Sequence, residues 1–195
     1  MLTAIREVVK RHFRIALVVT LFSLPLQGAT LERLSLSDMI SRSTVIVRGK
    51  ITGSYAAFAG TAPVIYTHYS IQVSEWLKGS GAPLVDVAVP GGVVNNVRQS
   101  FSGAPAFNTG DEFVFFLWTS KAGLTQIVGL TQGIFSVAPD GSVDPMATRS
   151  ASHELMLDRG TGQPVKDQPL VMHLSALRSQ ISSTLGVPVP MVAAK

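Results

Sequence analysis

Hydrophobic and polar positions alternate with a period of two through the middle of this chain. Val45, Val47 and Ile51 fall on one face of a segment whose other face carries Ile46, Arg48 and Lys50, which predicts a strand over residues 45–51. Small and cyclic residues from Ala59 to Pro63 break it, and a second strand is predicted over residues 65–77, where Tyr69, Ile71, Val73 and Glu75 alternate with Ser70, Gln72, Ser74 and Trp76. Val85, Val87 and Val89 alternate with Asp86 and Ala88 in a third strand, which stops at Pro90-Gly91-Gly92. A polar loop is read over residues 95–109. Residues 112–119 then form the most apolar strand, and its run Phe113-Val114-Phe115-Phe116-Leu117-Trp118 has no alternation, which predicts burial on both faces or closure of a barrel.

Residues 124–130 and 133–137 read as two further strands, and Pro139-Asp140-Gly141 as a turn into Val143, with Gly110, Gly129 and Gly133 marking bends or bulges. Only the ends of the chain carry helical signals. Ser35 or Ser37 can cap a short helix that runs to about Ser41, since a hydroxyl supplies an acceptor to unpaired amides at a helix start. Leu170, Leu174, Leu177, Ile181 and Leu185 recur at helical spacing before Gly186, which predicts an amphipathic helix packed on the β domain, with Arg178 and Gln180 off its apolar stripe. From Asp144 to Pro169 the pattern weakens. The expected organisation is a β-barrel domain over 30–145, an irregular segment over 146–169, a helix over 170–186 and a frayed tail over 187–195, giving a mainly β chain with two helices.

The first 29 residues change the reading of the charge. Arg6, Lys10, Arg11 and Arg14 precede an uncharged apolar stretch from Ile15 to Leu26, followed by Gly28 and Ala29. That order of basic region, short apolar core and small-residue exit is a secretory signal peptide, with cleavage expected near Ala29 and a retained signal anchor over 14–27 as the rival reading. The expected location of the product is periplasmic or extracellular. The whole chain of 195 residues has a net charge of +4, but the leader holds four of its 16 bases and one of its 12 acids, so the exported part is near +1. A case for nucleic acid or for an anionic membrane surface needs clustered excess Lys and Arg, and none remains. Membrane contact is expected only through an uncleaved leader.

The chain has no cysteine. For an exported protein this excludes a disulfide scaffold, thiolate metal sites, a Cys nucleophile and a lipoprotein anchor, so burial must supply the stability. Other chemistries fail on spacing. His153-Glu154 begins like a zinc-protease helix, but the motif needs a second His where Leu157 stands. No Gly-x-Ser-x-Gly elbow appears, and no Gly-rich loop is followed by the Lys-Ser/Thr pair of a phosphate cradle. Asp140 to Asp144 lacks the remaining ligands of a calcium loop and reads as a turn. Asp111 and Glu112 point to opposite faces of a strand, which assigns them to solubility and loop hydrogen bonding. No cofactor or metal is expected, and His68, His153 and His173 are scattered in sequence.

Three segments together resemble the netrin-like family typified by tissue inhibitors of metalloproteinases: Val45 to Ile51, Val73-Ser74-Glu75-Trp76-Leu77-Lys78-Gly79, and Gly110-Asp111-Glu112-Phe113-Val114-Phe115-Phe116-Leu117. The resemblance covers residues 34–137 and implies an OB-like, five-stranded Greek-key barrel flanked by helices. The chain also resembles a class of uncharacterised exported bacterial proteins in its Pro90-Gly91-Gly92 turn and its Gly129-x-x-Gln132-Gly133-x-Phe135 segment. The family's inhibitors grip a protease zinc through an N-terminal cysteine, so inhibition by that route is not implied here. What remains is an exported, non-catalytic domain that contacts an extracytoplasmic protein or a cell-envelope component, with an exported hydrolase using a cryptic Ser/His site as the alternative. The expected contact surface is the Trp76-Leu77-Lys78-Gly79 corner beside the Pro90-Gly91-Gly92 turn, joined by Phe107; core packing is the competing role for Trp76, Phe107 and Trp118.

Overall fold

The computed structural model describes residues 29–60, 62–138 and 140–186. The expected leader up to Gly28, the tail from residue 187, and Pro139 of the expected turn lie outside them. Strand β1 (Thr30–Glu32) leads to helix α1 (Leu36–Arg42). Ser35 caps that helix: its hydroxyl accepts from the Asp38 amide at 3.1 Å, and the Asp38 carboxylate accepts from the Ser35 amide at 3.0 Å. The long antiparallel strands β2 (Val45–Phe58) and β3 (Ile65–Lys78) follow, then β4 (Leu84–Pro90), the short hairpin β5 (Gly92–Val94) and β6 (Val97–Gln99), β7 (Glu112–Thr119) and β8 (Thr125–Ile127). A 3-10 turn (Leu130–Gly133), β9 (Ile134–Val137), β10 (Met146–Arg149), β11 (Leu155–Leu157), β12 (Pro164–Val165), β13 (Leu170–His173) and α2 (Leu174–Leu185) complete the order.

The main sheet runs β13-β10-β9-β7-β2-β3-β4, with β8 paired to β7. Within it β2, β3 and β4 are three consecutive strands, and β7 returns by a long connection to lie beside β2, which is the 4-1-2-3 order of a Greek key. Register shifts in β2 at Ile46/Val47, Arg48/Gly49 and Ile51/Gly53 bend the strand so that it can pair with β3 along its length and with β7 over residues 45–50. Strands β4 and β8 approach each other at the far side of this curve. The pairings of the described residues do not join them, so the curved sheet has a seam there.

The apolar run of β7 explains itself through the core. Val114 and Phe116 enter one cluster with Met39 and Ile40 of α1, Phe135 of β9, and Leu174, Leu177 and Ile181 of α2. Phe115 and Leu117 enter another, inside the curve of the sheet, with Val47, Ile51, Tyr69, Ile71 and Val87. All four of these β7 residues are fully buried, which is why the strand has no polar face. Helix α2 is docked by a two-pronged ion pair as well as by its stripe: Arg178 Nε donates to Glu75 Oε1 at 2.8 Å and Nη2 to Oε2 at 2.6 Å.

Four expectations need correction. Residues 146–169 are not wholly irregular, since β10 belongs to the main sheet and β11 pairs with β1 and β12. The terminal helix starts at Leu174, because Leu170 to His173 pair with β10 as a strand. The loop read over 95–109 begins inside a hairpin, whose Asn95 and Asn96 both take positive φ, 49° and 64°, as a two-residue turn of the primed type requires. The strand read over 124–130 ends at Ile127, because Gly129 and Leu130 are both left-handed, at φ 65° and 56°. Gln132 accounts for that turn: its buried side chain accepts from the Leu34 amide at 2.8 Å and donates to the Glu32 carbonyl at 3.0 Å, fastening the N-terminal segment to the sheet.

Candidate functional site

The residues expected to form one contact surface are divided between two ends of the molecule. Pro90 pairs with Tyr66, ten residues before Trp76 on the same strand, a separation of about 30 Å at roughly 3.3 Å per residue. Trp76 packs on the inner core cluster, and its indole lies so close to Gly81 that a Cβ there would sit 2.7 Å from the ring. Lys78 donates its Nζ to the Ile40 carbonyl at 2.7 Å, where a cation meets the negative end of α1. Phe107 stacks edge-on against Tyr69, Phe113 and Phe115, with ring centroids 4.9 to 5.6 Å apart. Trp76, Lys78 and Phe107 have internal partners and are half-buried, as are Pro90 and Gly92, while Gly91 is buried.

Pro90 instead lines a cleft of about 470 Å³ that lies over the seam between β4 and β8. Ala88, Val89 and Pro90 form one side, Gln126, Ile127, Val128, Gly129 and Leu130 the other, and Trp118, Pro105 and Arg42 the rim. Its lining is mainly apolar. Trp118 is paired with Gln126 at the end of β7, and this places its indole outside the sheet, 45% exposed. Leu130, a branched residue held at positive φ, is a strained element of the wall, and such strain persists where surrounding contacts over-determine it. The Arg42 guanidinium at the rim donates to Glu32 at 2.8 Å.

A second cleft of about 460 Å³ shares Pro105 with the first. It is lined by Ser136, Thr148, Ser150, Ser152, His153 and Glu154 against Phe113 and Ile134. The Glu154 carboxylate accepts from the Ser102 hydroxyl at 3.0 Å, tying the connection before β7 to this wall. His153 therefore has serines about it. His68 lies elsewhere, bonded through Nδ1 to Asp86 Oδ1 at 2.6 Å and stacked on Tyr55 at 4.8 Å. His173 lies at the sheet edge, its Nδ1 3.2 Å from the Asp144 carbonyl oxygen. Asp144, the last residue of the segment weighed as a calcium loop, accepts from the Ser175 amide and hydroxyl and so holds the start of α2. Those hydrogen bonds hold its carboxyl below the ordinary value.

Among the described residues, no group of three or more His, Asp and Glu side chains is placed to hold a metal ion, and no helix is long and apolar enough to cross a membrane. The cleft over the seam carries no sequence motif. Its walls come from β4, β8 and the turn after β8, and of its lining Pro90, Trp118 and Gly129 were singled out in the sequence, each for a different reason and none as part of one site. Compared with protein-family models and with curated proteins, the chain finds no match.

Proposed function

We propose that this chain is an exported, non-catalytic β domain that binds an extracytoplasmic protein or a cell-envelope component through the cleft over the β4–β8 seam. The observation that carries the reading is the half-exposed indole of Trp118 beside an apolar floor of Ala88, Val89 and Ile127. A concave apolar surface with a large aromatic on its rim is the kind of site where burial of a partner's apolar group yields most of the binding energy. The netrin-like resemblance and the Greek-key order agree with a barrel-type binding scaffold, and the leader supplies the compartment. The test compares ligand capture by the exported protein and by its Trp118→Ala variant under equal loading. Loss of a captured species from the variant supports the reading; an unchanged set of captured species counts against it.

The alternative, a hydrolase with a cryptic Ser/His site, draws on one observation: His153 shares the second cleft with Ser136, Ser150 and Ser152. It requires a serine in that cleft to react covalently with a fluorophosphonate probe. Absence of labelling on the folded protein removes the covalent-serine version.

A further inference from the structure

Beyond the cleft, the end of the molecule reached by the Pro90-Gly91-Gly92 turn has an unusual surface. Gly92 begins the β5–β6 hairpin, and Gln99 at the hairpin's other end accepts from the Ile65 amide at 2.8 Å and donates to the Pro63 carbonyl at 2.6 Å. The hairpin is thereby pinned to the end of the β2–β3 pair, where Phe58 pairs with Ile65. Four large apolar residues project from this junction: Phe58, Val93, Val97 and Phe101, each between 40% and 50% exposed. The charge pattern singles out the same end. Residues 51–74 contain no Asp, Glu, Lys or Arg, and residues 87–110 contain only Arg98. Both stretches supply this tip.

We infer that this tip docks on a lipid bilayer, with the hairpin entering the interfacial region and Arg98 facing an anionic headgroup. Three features fit a bilayer as the occupant. The surface is a projecting hairpin rather than a groove, so it complements a soft planar surface. The two stretches that supply it contain no carboxylate; Glu154, which reaches the stretch beyond Phe101, is held by the Ser102 hydroxyl, and the one cation of the hairpin matches anionic lipid in sign. Its two strands pair with each other, Gly92 with Gln99, Val93 with Arg98 and Val94 with Val97, and at interfacial depth the outward-facing groups of this two-stranded ribbon keep water and headgroups as partners. Phe side chains and valines at such a tip gain from transfer into the interface. This contact is separate from any uncleaved leader and does not depend on the cleft.

The chain's lack of cysteine makes the test direct, since one introduced thiol takes one label. The exported protein is labelled with an environment-sensitive nitrobenzoxadiazole at Val97→Cys, and separately at Val143→Cys on a fully exposed loop, and each is mixed with phosphatidylcholine vesicles with and without phosphatidylglycerol. The expected result is a blue shift and rise in emission at position 97 but not at 143, with about fivefold tighter binding to the anionic vesicles, the factor one basic residue near such a surface supplies. The shift is read at the tip itself, so it is informative whether or not the leader is retained. In leader-free protein, the double substitution Val97→Asp and Phe101→Asp lowers the bound fraction at least about tenfold. No emission change at position 97 with either vesicle overturns the proposal, as does an equal change at both positions; a tip that binds only another protein gives the first of these outcomes.

Discussion

Arg149 and Asp167 form a buried two-pronged pair, with Nη1 donating to Oδ2 at 3.1 Å and Nη2 to Oδ1 at 2.9 Å. Nη2 also donates to the Gln168 carbonyl at 2.6 Å, and the Ser152 amide donates to Asp167 at 2.8 Å. The pair clamps residues 150–169 onto β10 and so closes the wall of the second cleft. Removing one partner leaves the other charge buried, and Asp167→Ala is expected to cost about 3–5 kcal/mol. Equilibrium denaturation of the two proteins measures this difference.

The same pair predicts acid sensitivity. Burial pushes the Asp167 carboxyl up, but the Arg149 hydrogen bonds, the Ser152 amide and the guanidinium charge together outweigh it and hold the carboxyl below its ordinary value. Because the folded carboxyl is the stronger acid, its stabilisation is fully present above the unfolded value of about 3.9 and is lost as pH falls through the folded value. The stability gap between wild type and Asp167→Ala therefore narrows as pH is lowered below about 4, and a constant gap down to acid unfolding would contradict the assignment.

Gly92 has a packing role that its place in a turn does not disclose. Its φ is +142°, and a Cβ there would lie 2.7 Å from Thr67 Oγ1 and 3.1 Å from the Ala56 Cβ. Gly92→Ala is expected to destabilise the protein by about 1–3 kcal/mol through backbone strain and displacement of the β5–β6 hairpin. Thermal unfolding checks it.

The two tryptophans are expected to behave oppositely. Trp76→Ala removes a core contact and should cost about 2–4 kcal/mol, whereas Trp118→Ala, at an exposed position, should change stability by less than about 1 kcal/mol. In single-tryptophan proteins, acrylamide should quench Trp118 several times more efficiently than Trp76. Equal quenching would remove Trp118 from the rim of the cleft.

Arg178 gives a further check on how the terminal helix is held. Its paired contact with Glu75 is partly screened by solvent, so Arg178→Ala should cost about 1 kcal/mol, and Arg178→Lys, which loses the fork geometry, should recover only part of it. Chemical denaturation distinguishes the three proteins.

The strands were legible where side chains alternate against a single core. Residues 45–51, 65–77 and 84–89 all lie within observed strands, and the unbroken apolar run of residues 112–119 marked the strand buried on both faces. What escaped reading depended on distant partners. Nothing local reveals that Gln132 reaches Glu32 and Leu34, or that Leu170 to His173 pair with β10 rather than extending the helix. The Asn95-Asn96 turn lacks the glycine that usually marks a primed hairpin turn, so Val97 reads as loop and the hairpin goes unrecognised. The residues expected to share one surface do not come together, for a geometric reason: Trp76 and Pro90 are close in neither register nor sequence, and antiparallel pairing sends them to opposite ends of β3.

A photo-crosslinking scan asks whether a partner sits in the cleft over the β4–β8 seam. A photoreactive residue is placed in turn at Gln126 and Leu130, in the walls of the cleft, and at Ser80, beyond the Trp76 corner, and the protein is irradiated in the cells that produce it. A partner held in the cleft gives a discrete adduct from Gln126 and Leu130 that disappears on Trp118→Ala, with none from Ser80. Adducts of equal yield from all three positions, or cleft adducts indifferent to Trp118→Ala, would contradict the proposed site.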